Sequence, residues 1–380
     1  MRWPTHTLDA VRPSRFLPPF CPRPDCVAHT HTGRGFQCDG SYRRNRLPQK
    51  VYRYLCKDCG HRFSRSTFAT DYYLKRPELL EQVAAGLAAC SAHRQIARSA
   101  GCSKTTVTRM SERLGRHAVL FHARCRKRLG SPDEVVVHDH FETFVGRQDH
   151  ALGIGTAVGF RSWFVYDIDP APHRGSGRRP DRKPANPETA AKADRPYIAS
   201  IRRTMRRLTP GRRSTRPLVL NVDGRLDYRV AIRDPTLRDR VRLRVFPNPR
   251  RGPKGTPRSP EAKVRDWEMF TVDQLHQLIR HTCADHKRET LAFGRRVESI
   301  VGRAYLIAVW KNFLKGRSER KPDRTTPAMR VGLTDRPWTW RRLFSRRLFA
   351  ARERPTEGEL RLYEKRWTPG LPTLQRAHAR

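Results

Sequence analysis

The sequence predicts an α/β fold, a mixed β-sheet core preceded by a small cysteine-bearing unit and an all-α segment. Three observations carry that expectation. Short runs rich in β-branched and aromatic residues recur between positions 134 and 248, with a helical stretch between the third and the fourth. Two closely spaced cysteine pairs stand thirty residues apart before position 60. Between 91 and 118, apolar residues repeat at helical spacing around a single glycine.

The cysteine-bearing head covers residues 15–68. "CPRPDC" (21–26) and "CKDCGHRFS" (56–64) give Cys-x4-Cys followed by Cys-x2-Cys. A tetrahedral zinc takes four thiolate or imidazole ligands, and short Cys-Cys turns supply two each. Cys21, Cys26, Cys56 and Cys59 are therefore candidate ligands for one structural Zn²⁺, with Gly60 suited to the knuckle turn. Cys38, His29 and His31 remain open as substitutes in the first pair. Nine cysteines in a chain with no signal-peptide pattern and no apolar run near the ~18 residues of a membrane span point to metal ligation inside the cell rather than to disulfides.

The helical segment covers 76–128. In "SAHRQIARSAGCSKTTVTRMSERLGRHA", Ile96, Ala97 and Ala100 share a face, Gly101 turns the chain, and Ser103 can cap a second helix. Val107, Met110 and Leu114 continue that second helix. This is the pattern of a helix-turn-helix. Its second helix would present Lys104, Thr105, Thr108 and Arg109 to a major groove, with Arg113 and Arg116 at phosphates. Charge supplies the partner: 79 Lys plus Arg against 36 Asp plus Glu give +43, and such a surface gains affinity by displacing counterions from a polyphosphate.

The long region 133–315 supplies the sheet. "EVVVHDHFETFV", "ALGIGTAVGF", "SWFVYDID", "PLVLNVDG" and "VRLRVFPN" read as strands, with a helix near 192–208 before the fourth. Three strands, a helix, two strands and a long helix is the order of a ribonuclease-H-like mixed sheet. Stretches 170–188 and 247–263, rich in Pro, Gly and Arg, read as basic insertions, and 316–380 reads as a basic C-terminal tail.

In so basic a chain, each carboxylate at a strand end is a candidate metal ligand. Asp139 follows Val135–Val137, and Asp223 ends "PLVLNVD". Two-metal phosphoryl transfer needs such groups to converge. If 272–310 is a single helix at about 100° per residue, Glu289 falls on the buried stripe with Leu275, Leu278, Phe293, Ile300 and Ile307. Glu298 then faces solvent, and Asp285 is the reserve. Asp227, Asp266 and Glu268 replace Glu289 if that helix is misjudged.

The ribbon, then "RPELLEQVAAGLAACSAHRQIARSAGCSKTTVTRM", then Asp139, Asp223 and "HKRETLAFGRR", resembles bacterial insertion-sequence transposases of the DDE type. The likeness runs from about Cys21 to beyond Trp340 and includes "WKNFLKGRSERKPDRTTPAMRVGL". The resemblance implies a catalytic triad of Asp139, Asp223 and Glu289 holding two Mg²⁺, with Mn²⁺ as a substitute. It also implies double-stranded DNA as partner, both element ends and target, a homodimer or larger assembly on that DNA, and a place at the bacterial nucleoid without membrane contact. The interval from Asp223 to Glu289 is longer than in many relatives. A DNA-binding regulator that has lost catalysis is the rival reading.

Overall fold

The computed structural model describes residues 16–31, 35–45, 48–172, 195–211, 216–249, 252–253, 255–287, 290–320 and 322–366. The structure is mixed α/β, with a three-stranded antiparallel sheet and a five-stranded mixed sheet among those residues. The small sheet joins β1 (Phe36–Arg43), β2 (Lys50–Cys56) and β3 (Arg62–Ser64) in that order. Its core is aromatic: Phe20, Tyr54, Phe63 and Phe68 pack together, and Phe349 enters the cluster from near the other end of the chain.

Three helices follow, α1 (Leu79–Ala88), α2 (His93–Ser99) and α3 (Lys104–Leu129). The Ser103 hydroxyl accepts the Thr106 N–H at 3.1 Å and caps α3, while Gly101 takes the left-handed φ of 55° that the turn requires. Beyond Met110, α3 is buried on most sides and becomes the spine of the molecule. It crosses α8 (Val297–Phe313) at Gly115 and Gly302, where a Cβ built on Gly115 would lie 3.1 Å from the Gly302 backbone. The helical segment and the large sheet share one hydrophobic core, which runs from Leu79 to Leu362.

The large sheet contains β4 (Val136–Val145), β5 (Arg147–Gly159), β6 (Val165–Pro172), β7 (Leu218–Val222) and β8 (Val241–Val245) in the spatial order β6-β5-β4-β7-β8. The pairs β4–β5 and β5–β6 are antiparallel, whereas β4–β7 and β7–β8 are parallel. Helices α4 (Arg195–Leu208) and α5 (Leu226–Ala231) bring Ser200 and Tyr228 against His140 and His138. Under α4, Arg207 is buried between Asp167 and Asp169, 2.6 Å from each.

Helices α6 (Pro260–Glu268) and α7 (Phe270–Thr282) follow β8. The single helix expected over 272–310 is two: α7 ends at Thr282, and α8 begins at Val297. The chain between them makes a turn that buries Cys283, Asp285 and His286. Phe293, expected on the buried stripe, is exposed. Much of the basic C-terminal stretch is folded: Trp338 packs on Phe121 and Phe313, and α9 (Glu357–Glu364) returns to α3 through an Arg126–Glu359 ion pair at 2.5 Å. The insertion segment 173–188, within the expected 170–188, lies outside the described residues, as do 250, 251 and 254.

Candidate metal centres and nucleic-acid interface

Cys21, Cys26, Cys56 and Cys59 converge. Their sulfurs all lie within 4.8 Å of one another, with Cys21–Cys59 at 3.6 Å and Cys26–Cys56 at 3.8 Å. A tetrahedral ion about 2.3 Å from each thiolate spaces its sulfurs by about 3.8 Å, so the four can hold a metal ion and suit Zn²⁺. Local turns set the geometry: the Gly60 N–H donates to the Cys56 carbonyl at 2.9 Å with Gly60 at a φ of 69°. Burial pushes the Cys21 and Cys26 thiols upward in pKa, so a cation is what would make them ligands. None of the three substitutes considered for the first pair joins that cluster. Cys38 is exposed on β1, the His29 Nδ1–H donates to the Cys21 carbonyl at 2.7 Å, and His31 lies in solvent beside Thr30.

The second constellation lies on the opposite side of the large sheet from α4. Because Val137 pairs with Asn221 across β4 and β7, Asp139 and Asp223 fall two residues further along the same row. Asp223 comes one residue after the end of β7 and accepts the Arg225 N–H at 3.1 Å. Burial, then the negative charge of Asp223, raises Asp139 to about 7; burial also raises Asp223. His276 Nδ1 stands 3.9 Å from Asp139, but burial holds that imidazole down to about 3. It is neutral at physiological pH, so the contact is not an ion pair.

A cleft of about 660 Å³ lies alongside, lined among others by His140, Arg265, Asp273, His276 and Arg280. Asp273, on the first turn of α7, adds a further negative charge felt by Asp139. Arg265 ion-pairs with Asp273, and its positive charge also draws on Asp139 and Asp223. Asp273 escaped the sequence reading because a single long helix drew attention to Glu289. The signal present was its i, i+3 spacing to His276 at the start of an amphipathic run.

Glu289 and Arg288 lie outside the described residues. The turn before them reaches the same face, since the His286 ring is 5.5 Å from that of Phe141, two residues past Asp139. Each reserve carboxylate has its own cation: Asp227 with Arg225 at 2.8 Å, Asp266 with Arg258 at 2.6 Å, Glu268 with Arg244 at 3.2 Å and Asp285 with Arg303 at 2.7 Å. Glu298 is half-buried on the first turn of α8. Apart from the four cysteines, the described residues bring three potential ligands within 4.8 Å of one another only at Cys283, Asp285 and His286; the Asp139–Asp223 pair gains no third member in that radius.

On α3, Lys104, Thr105 and Arg109 are exposed. Thr108 is half-buried and shares a hydrogen bond with His93 at 3.0 Å. Arg113 turns inward and donates to the Thr70 carbonyl at 2.8 Å, and the Arg116 guanidinium lies 5.7 Å from the Tyr363 ring. No protein-family model matches the chain, and no curated protein matches it. No helix among the described residues is long and apolar enough to cross a membrane.

Proposed function

We propose that the chain is a DNA transposase of the DDE type, with a ribonuclease-H-like core and a zinc ribbon and helix-turn-helix ahead of it. The observation that carries this reading is the pairing of Asp139 with Asp223. Two carboxylates on adjacent parallel strands are desolvated together, and Asp139 is left near half-protonated, a state that a divalent cation relieves. The strand order β6-β5-β4-β7-β8, with its first two pairs antiparallel and its last two parallel, supports the ribonuclease-H-like assignment.

Asp139 and Asp223 would hold Mg²⁺, with Asp273 as the third carboxylate among the described residues and Glu289 as the competing choice. Bound there, Mg²⁺ would sharpen water or a DNA 3′-hydroxyl as a nucleophile and offset charge on the phosphate under attack. The chain's own part is orientation and charge: the Asp223 carboxylate is fixed by the Arg225 N–H, and Arg258, Arg265 and Arg280 line the cleft where a phosphodiester would lie. Lys104, Thr105 and Arg109 would meet the element's terminal repeats, while Arg113 braces α3 against residue 70.

The test is Mg²⁺-dependent nicking and joining of labelled DNA that carries inverted repeats flanking the gene. Asp139→Asn and Asp223→Asn are expected to bind this DNA and leave it uncut. Loss of joining in Asp273→Asn with activity kept in Glu289→Gln assigns the third ligand to Asp273, and the reverse assigns it to Glu289. A wild-type chain that binds the repeats and never cuts them overturns the enzyme reading in favour of a regulator.

A further inference from the structure

Next to that cleft, where α7, the end of α8 and the β5–β6 turn meet, lies a second cavity of about 440 Å³. Its lining includes Trp163, Gln274, Gln277, Lys311, Lys315 and Arg330, and no Asp or Glu. Lys311 is only 6% exposed, and its Nζ donates to the Trp163 carbonyl at 2.5 Å. A lysine so deeply buried ordinarily faces a carboxylate. Burial, and after it the positive charges of Arg330 and Lys315, press its pKa down to about 7. The nearby acids lie outside the lining: Glu319 is exposed while pairing with Lys315 at 2.6 Å, and Asp323 accepts the Thr325 N–H at 2.9 Å. Four basic side chains, Lys311, Lys315, Arg317 and Arg330, line this wall, and the carboxylate paired with Lys315 is itself solvent-exposed, an arrangement that describes a site for an anion.

The rest of the wall says what kind of anion. Trp163 is held at a φ of 62°, a backbone conformation rare for a bulky residue. Its amide donates to the Gly159 carbonyl at 3.0 Å, and its own carbonyl is tied to Lys311. The indole lies 5.4 Å from the Arg317 guanidinium and 5.8 Å from the Phe270 ring. Two glutamine side chains add donors and acceptors. We propose that this cavity is a nucleotide pocket, with the phosphate on Lys311, Lys315 and Arg330, the base against Trp163, and Gln274 and Gln277 at the base edge. Gln277 lines both this cavity and the neighbouring cleft, so a DNA strand crossing the cleft could place an unpaired nucleotide here; a free nucleotide offers the same chemistry.

The test uses the full chain in Mg²⁺-free buffer, so it does not depend on strand transfer. Calorimetric titrations would compare dAMP, inorganic phosphate, a five-nucleotide single strand and a blunt duplex, on wild type, Lys311→Met and the surface variant Arg330→Gln. We expect dAMP or the single strand to bind at least tenfold more tightly than phosphate, and each folded variant to weaken that binding at least tenfold. Binding of dAMP identifies a free nucleotide as a sufficient ligand, and binding of the strand alone identifies DNA. Should Lys311→Met fail to fold, Arg330→Gln carries the comparison. Phosphate binding as tightly as both nucleotides, or affinity unchanged in the folded variants, overturns the proposal.

Discussion

Asp139 stands beside Asp223 because β4 and β7 run parallel with Val137 opposite Asn221, which brings two carboxylates into one row of the sheet. Both are desolvated, and their charges oppose each other. In Mg²⁺-free buffer at pH 8, Asp139→Asn should therefore raise stability by roughly 1–3 kcal/mol, read from urea unfolding. Millimolar Mg²⁺ should stabilise wild type and leave the variant unmoved; equal Mg²⁺ responses would remove the pair as a metal site. At this scale the sequence was legible where chemistry and spacing coincide. The four cysteines could be named because a metal restricts both residue type and position, and the two aspartates could be placed side by side because each follows a run of strand residues. Asp273 and Lys311 could not, because a lone acid on a first turn and a lone lysine on an apolar helix acquire meaning only from what the fold sets opposite them.

The helix α3 runs from the α2–α3 turn into the shared core, and its fit against α8 rests on two glycines. A methyl on Gly115 would meet the Gly302 Cα and carbonyl carbon at 3.1 Å, and backbone cannot swing aside as a side chain can. Gly115→Ala should cost about 1–3 kcal/mol by overpacking, measured as a lowered urea midpoint with unchanged m-value. Two residues further along α3, the buried His117 ring donates through Nε2 to the Leu343 carbonyl at 3.1 Å, and burial holds its pKa down to about 4. The unfolded chain takes up that proton near pH 6.5, the folded chain only near 4. Stability from this residue is thus intact above pH 6.5 and lost as pH falls toward 4. His117→Gln should flatten that part of the stability–pH curve, and an identical slope would show that His117 does not contribute. Among elements, the strands and the α2–α3 turn followed the expected pattern because periodicity and Gly101 mark them. The break between α7 and α8 did not, since no proline announces it. Gly294 was the available sign: its carbonyl accepts the Gly146 N–H at 2.8 Å, and a Cβ there would collide with Ile300.

At the scale of the whole molecule, the charge of +43 is a sum, and the fold decides which of those charges face solvent. Many arginines are already engaged: Arg207 is buried with two aspartates, while Arg124 and Arg126 anchor the C-terminal segment through Glu353 and Glu359. Composition shows the sum and conceals this division: the sequence set Arg113 and Arg116 at phosphates, whereas in the structure Arg113 donates to the Thr70 carbonyl and Arg116 lies against the Tyr363 ring. On the proposed reading, Lys104 and Arg109 each displace about one condensed counterion, and Arg113 acts through the Thr70 carbonyl. The plot of log affinity against log salt for a duplex carrying the terminal repeat should then lose roughly 0.9 in slope for each of Lys104→Ala and Arg109→Ala. Arg113→Ala should leave the slope unchanged and lower stability instead. If Arg113→Ala reduces the slope as much as the other two do, then α3 meets DNA along a longer face than its exposed first turns, and the helix must shift from its seat against Thr70 when it binds.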